Sequence, residues 1–257
     1  MSERHLACIR CCAESFNKMD SLLVSAAGGM KTGLQSLDIL ANDIANTGTV
    51  AFKSDREFHG LYKQQLPVID KPWTDFSQGL LTTTANQLNV GLAGKGFFAL
   101  NSPGGIVYTR NGQFEISKTN QLQTAEGYTL RNTRDQGKPI TVDPTQPIDI
   151  DKTGTVRQGG QELGQIEIDE IENPSQALRK LGNSYFVAST AGQQNPPLSI
   201  DTRTEVRQGT LEQSNVPTAD SAVRLISVMR QFEMLQRAVS VDTEMNKEAI
   251  EQVARPS

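Results

Sequence analysis

The stretch LLVSAAGGMKTGLQSLDILANDIAN, residues 22–46, decides how this chain is read, because Leu23, Ala27, Met30, Leu34, Leu37, Ala41 and Ile44 recur by alternating fours and threes. That spacing lays small and apolar side chains along one stripe of an α-helix. Near the other end Leu225, Val228, Phe232, Leu235 and Val239 repeat the pattern. Two such helices at opposite ends of a chain can close on one another or serve neighbouring molecules.

The first helix is expected to start at Asp20 or Ser21, either of which can cap it, and to run to about Asn46. Gly28, Gly29 and Gly33 each cost about 1 kcal/mol against alanine in a helix interior. The segment is therefore weak alone, while its small residues let a second helix approach closely. The second helix is expected after Pro217, capped by Thr218 or Asp220, and ends near Val253 before Arg255-Pro256. At 1.5 Å per residue it would be roughly 50 Å long, more than a small β region covers.

Between the helices the chain reads as short strands. Gly96-Phe97-Phe98-Ala99-Leu100 and Ile106-Val107-Tyr108-Thr109 flank Ser102-Pro103-Gly104-Gly105, and Asn111-Gly112 precedes Phe114-Glu115-Ile116. An Asn-Gly pair suits the positive φ angles of a two-residue hairpin turn, so three antiparallel strands are expected here. Ile148-Asp149-Ile150, Gly154-Thr155-Val156 and the alternating run from Gln165 to Ile171 give a second group, with Tyr185-Phe186-Val187-Ala188 a later strand. Residues 116–122 and 150–156 share one phrase of strand, turn and strand.

Composition narrows the function classes. The chain has 257 residues, 37% hydrophobic and only 5% aromatic, with a net charge of −4. That suits a thin β domain with accessory helices. Charge of neither sign is gathered into a block that would attract nucleic acid or an anionic membrane. No apolar run approaches the eighteen or so residues of a membrane span. Arg4, Arg10 and Lys18 before Leu22-Leu23-Val24 resemble a signal peptide, but Asp20 and Ser21 interrupt the join and the heptad continues to Ile44, so a retained helix is expected. Cys8, Cys11 and Cys12 are the only cysteines. With His5 they could supply zinc ligands, or Cys8 and Cys11 could cycle as a disulfide. The plainer reading of residues 1–18 is a disordered extension.

Candidate chemistry is sparse. His5 and His59 are the only histidines, which leaves a nucleophilic triad almost no base. Asp149, Asp151, Glu167, Asp169 and Glu170 lie on expected strands where a glycosidase places its acids, although solvent-facing alternation explains them equally. Gly91-x-x-Gly94-x-Gly96 precedes a strand instead of opening a helix and reads as turn punctuation. No catalytic residue, cofactor or metal site is assigned.

Several segments in order resemble one family. Asn42, Asn46, Phe52 and Lys53 lie in a stretch similar to the N-terminal signature of bacterial flagellar rod and hook proteins. Gly96, Phe97, Tyr108, Arg110, Gly112 and Phe114 match its central motifs, and Glu212, Ser214 and Asn215 its C-terminal one. The resemblance spans about residues 19–253. It implies a non-enzymatic structural subunit of the basal-body rod, exported uncleaved through the flagellar type III apparatus. Such a subunit polymerises helically through its terminal helices with copies of itself and other rod proteins, forming the shaft that crosses the periplasm. The implied fold is α+β, with long N- and C-terminal helices whose coiled-coil-like seams form an inner layer carrying one antiparallel β-rich outer domain. The expected division is 1–18 extension, 19–78 helix and extended segment, 79–208 β domain and 209–257 C-terminal helix. Size and a brief Gln64-Gln65-Leu66-Pro67 segment resemble the proximal rod subunit more than the distal one. Val50-Ala51 departs from the Thr-Gly often found there. The rival class is a secreted binding module or adhesin with a helical stalk, which would show exposed aromatic platforms.

Overall fold

The computed structural model describes residues 3–57, 59–61, 67–69, 72–182, 184–189 and 204–254. In chain order the elements begin with α1 (Glu3–Ala45), β1 (Asp55–Arg56), β2 (His59–Leu61), β3 (Pro67–Ile69), β4 (Trp73–Thr74) and β5 (Leu81–Thr83). Next come β6 (Val90–Ala93), β7 (Gly96–Ser102), β8 (Gly105–Thr109), β9 (Glu115–Ile116), β10 (Leu122–Gln123) and β11 (Thr129–Leu130). They are followed by β12 (Asp149–Ile150), β13 (Thr155–Gln158), β14 (Gln161–Gln165) and β15 (Ile168–Glu170). The last are α2 (Pro174–Ala177), β16 (Leu178–Lys180), β17 (Tyr185–Ala188), β18 (Glu205–Gln208), β19 (Thr210–Glu212) and α3 (Thr218–Ala254). Two compact units result, one of Met1–Asn42, Arg56–Trp73 and Thr218–Ser257, the other of Asp43–Asp55 and Thr74–Pro217.

The second unit is built around β7. It pairs antiparallel with β8, β11 and β15 within an eight-stranded sheet ordered β16-β17-β8-β7-β11-β10-β9. Alternate side chains of β7 enter two different cores. Phe98 and Leu100 join Val107, Leu130, Val156 and Tyr185 on one face, while Phe97 and Ala99 join Tyr108, Leu178 and Phe186 on the other. Burial on both faces explains why Phe97-Phe98-Ala99-Leu100 is an unbroken apolar run. The smaller core is held by Phe76, Phe97 and Phe186, whose rings meet edge to face at 4.9 to 6.1 Å.

The shared phrase is structural. Leu122 pairs with Ile116 in one hairpin and Val156 with Ile150 in the other. Asn120 and Gly154, at matching positions, take φ of 61° and 81°. The Asn111-Gly112 hairpin does not form. β8 pairs with β7 and β17, and neither Asn111 nor Gly112 has positive φ. Gly112 instead accepts a bond from Val90 N at 2.9 Å, and a Cβ there would lie 1.6 Å from Val90 O. The glycine serves close approach of two backbones, not a turn. The true Gly-Gly turn joins β13 to β14, with φ of 57° and 82° at Gly159 and Gly160. The expected strand from Gln165 to Ile171 is divided, because Gln165 ends β14 and β15 starts at Ile168.

In the first unit α1 begins at Glu3, well before Asp20, and runs through most of the segment read as an extension. The sequence from Glu3 to Ala27 has neither glycine nor proline to stop propagation. A Cβ on Gly29 would come 3.2 Å from Leu235 Cδ1, and one on Gly33 would come 3.9 Å from Phe232 Cδ2. The helices thus meet where α1 is narrowest.

The α+β expectation with coiled-coil-like seams needs correction. Among the described residues there are three helices, and the architecture is mainly antiparallel β-sheet. Burial on α1 falls on Ala26, Thr32, Ser36, Leu40 and Asp43, not on the predicted stripe. Ala27, Leu34 and Ala41 are exposed, and Met30, Leu37 and Ile44 only half-buried. Leu225, Val228, Phe232, Leu235 and Val239 on α3 are half-buried as well. A coiled-coil seam would bury these side chains as knobs in holes; the small residues at the contact set a different face instead. Leu23 lies outside the described side chains, as do the cysteines. No helix of the described residues is long and apolar enough to cross a membrane.

Candidate functional site

Beyond Asp43 the chain turns tightly through successive backbone bonds: Thr47 N to Ile44 O, Thr49 N to Asn46 O, and Phe52 N to Thr49 O. Ala51 stands fully buried at φ 54°, a left-handed conformation costing a residue with a side chain about 1 kcal/mol. Its amide donates to Glu212 O at 2.8 Å, and Asn215 N donates to Phe52 O at 3.3 Å. The N-terminal turn is thereby laid against the end of β19.

Within this turn Lys53 points inward. Its Nζ bonds Glu212 Oε1 at 2.5 Å and Ser77 O at 2.7 Å, and both charged side chains are 0% exposed. Glu212 Oε1 also accepts Gly79 N at 2.8 Å, while Oε2 accepts Arg110 Nη1 at 3.2 Å. Arg110 Nη2 continues to Gly94 O at 2.6 Å, and its guanidinium lies 5.1 Å from the Phe97 ring centre. Asn215 closes the other side, accepting Ser54 N and donating to Asp75 O and Ser77 O. Lys180 covers the turn, donating to Lys53 O and Asp55 Oδ2 with its Nζ 4.2 Å from the Phe52 ring centre.

One carboxylate thus serves two buried cations. Burial pushes Lys53 and Arg110 below their ordinary pKa ranges, and Glu212 opposes the shift for both. Asp75 adds a smaller favourable field at Lys53, as Glu170 does at Arg110. Glu170 accepts the Thr204 hydroxyl, whose oxygen also receives Gly96 N. Lys53, Glu212 and Arg110 are each tied to backbone and to one another, with Arg110 Nε alone left buried without a partner, and the arrangement acts as a clasp.

The motif residues converge here. Phe52, Lys53, Arg110, Glu212 and Asn215 form the clasp, Gly96, Phe97 and Tyr108 are buried on β7 and β8, and Gly112 and Phe114 are buried in the segment between β8 and β9. Asn46 holds the turn by accepting Thr49 Oγ1, Ser214 Oγ accepts Val216 N, and Asn42 lies exposed on α1. Sequence reasoning missed Ser77, Gly79 and Lys180. The structure shows why Gly79 is a glycine, since a Cβ there would lie 2.0 Å from Gln213 O.

The strand carboxylates are spread through the sheets. Asp151 caps its own hairpin turn by accepting Thr153 N and Thr155 N, and Glu167 pairs with Arg131 at 3.1 Å. Burial, then the nearby Glu167, raises Asp169 to about 6. Asp149 is exposed on β12. Among the aromatics considered as binding platforms, Tyr108, Phe114, Tyr185 and Phe186 are core residues and Tyr128 meets Tyr185 edge to face at 5.3 Å.

Residues 91–158 match the family model described as the flagellar hook protein FlgE/F/G D1 domain, and residues 207–252 the flagellar basal body rod FlgEFG protein C-terminal model. A flagellar basal-body rod protein FlgF from Caulobacter vibrioides is 28% identical over 92% of this chain and 99% of its own length. Its counterpart from Mesorhizobium japonicum is 27% identical over 93% and 99%. A rod protein FlgG from Borreliella burgdorferi is 29% identical over 87% and 95%.

Proposed function

We infer that this chain, which belongs to the flagellar basal-body rod protein family, is a structural subunit of the rod, and we propose that it joins the rod through the outward faces of α1 and α3. The observation that carries the second step is the uncovered stripe. Ala27, Leu34 and Ala41 keep the helical spacing of an interface, yet the chain's own packing leaves them exposed. On α3, Val223, Met234, Val241 and Met245 are likewise open, at 53 to 67% exposure. Exposed apolar surface on two helices marks an interaction site. A contact repeated by a screw operation builds an open filament.

The partners are copies of this chain and other rod proteins. Export without cleavage through the flagellar type III apparatus follows from the family resemblance, and so does a non-enzymatic role. The brief Gln64-Gln65-Leu66-Pro67 segment supports the proximal position in the rod. Replacing Leu34 and Ala41 by aspartate in a strain lacking the native chain tests the reading. The variant should be exported and stay soluble with intact β-sheet circular dichroism, but should be absent from isolated basal bodies, leaving cells non-motile. Normal incorporation would refute the assembly surface.

A further inference from the structure

The clasp spans the two places where the β-rich unit hands the chain on to its terminal helices. The segment Asp43–Asp55 follows α1, and the stretch from Glu212 to Pro217 precedes α3. Lys53 and Glu212 are 159 residues apart, and Arg110 and Glu212 are 102 apart. Apart from the Lys53–Glu212–Arg110 contacts the two segments are joined by Ala51 N to Glu212 O, Asn215 N to Phe52 O and Ser54 N to Asn215 Oδ1.

Stability alone does not account for burying three charges here, since well-packed apolar residues often replace a buried ion triad at no cost. Charged pairing differs from apolar packing in direction. Glu212 has two oxygens, one fixed by Lys53 and Gly79 N, the other by Arg110. A slip of β19 by one residue against β5 would turn that carboxylate to the opposite face and leave two buried cations unpaired. Apolar side chains would tolerate the slip far better.

We propose that the Lys53–Glu212–Arg110 triad is a register lock, fixing the chain leading from α1 and the chain leading into α3 as one rigid piece. In a rod subunit the lock makes both helical connections carry load together. That consequence rests on the rod reading; the lock itself does not.

Hydrogen exchange on the full-length purified chain tests it, comparing wild type with the apolar triple variant Lys53→Met, Arg110→Met, Glu212→Leu. The variant should keep the wild-type far-ultraviolet circular dichroism. The amides of Ala51, Ser54, Gly79 and Asn215 should exchange roughly tenfold faster or more, while Leu100 and Val107 on β7 and β8 stay as protected as before. Wild-type protection at those four amides would overturn the proposal. Equal acceleration in β7 and β8 would also overturn it, reducing the triad to general core stability. If the triple variant fails to fold, the milder Lys53→Met, Glu212→Gln variant is read at the same amides by the same criteria.

Discussion

Replacing Glu212 by glutamine keeps the shape of the clasp and removes its only negative charge. Lys53 and Arg110 then face each other across a site where the Lys53 and Glu212 side chains are fully buried. Removing one partner of a buried charge pair costs about 3–5 kcal/mol. At roughly 2–4 °C per kcal/mol for a unit of this size, the melting temperature should fall by about 10 °C. The loss also has a pH signature. Burial already lowers the Lys53 pKa and Glu212 opposes that shift, so without the carboxylate it falls further, the unfolded chain binds more protons and stability rises with pH. Thermal melts of wild type and variant by circular dichroism, at pH 7 and pH 9.5, read both effects. The gap between them should be narrower at the higher pH. A loss under about 1 kcal/mol, or a gap indifferent to pH, would refute the electrostatic account of the clasp.

Further outcomes follow from particular contacts. Gly112→Ala would drive a Cβ to 1.6 Å from Val90 O, so it should cost about 3 kcal/mol or more in chemical denaturation, whereas Gly104→Ala, with nothing within 4 Å, should be nearly neutral. Ala51→Gly relieves the left-handed backbone by about 1 kcal/mol but frees the unfolded chain by a similar amount, so its melting point should barely move, while Ala51→Val should be clearly destabilised. Asp169 is raised to about 6 when folded, so the folded chain holds its proton after the unfolded chain has lost it near pH 4, and stability falls as pH climbs from 4 to 6. Asp169→Asn should therefore gain ~1–2 kcal/mol at pH 7, allowing for partial exposure, and lose that gain below pH 4 when followed by urea denaturation.

Local chemistry was legible in the sequence, and non-local pairing was not. The hairpins at residues 116–122 and 150–156 could be read because a turn and its two strands lie within seven residues of each other. Two of the three partners of β7 could not, because β11 and β15 reach it from far along the chain, and strand pairing over such distances leaves no periodic mark. Asn111-Gly112 misled because glycine also serves close backbone approach, and only the position of Val90 decides between the two uses. The α1 stripe misled differently. Helix contact there selects the narrowest face, at Gly29 and Gly33, and leaves the larger apolar residues outside. The clasp residues Lys53, Arg110, Glu212 and Asn215 were reached by family resemblance, since nothing in spacing reveals that a lysine and a glutamate 159 residues apart share one hydrogen bond.

A cryo-electron microscopy map of basal bodies isolated from cells expressing this chain bears most directly on its role as a rod subunit. The account predicts repeated copies of the chain in the rod, with Ala27, Leu34 and Ala41 of each copy covered by a neighbouring subunit. A rod without this chain, or one in which those residues stay open to solvent, would contradict it.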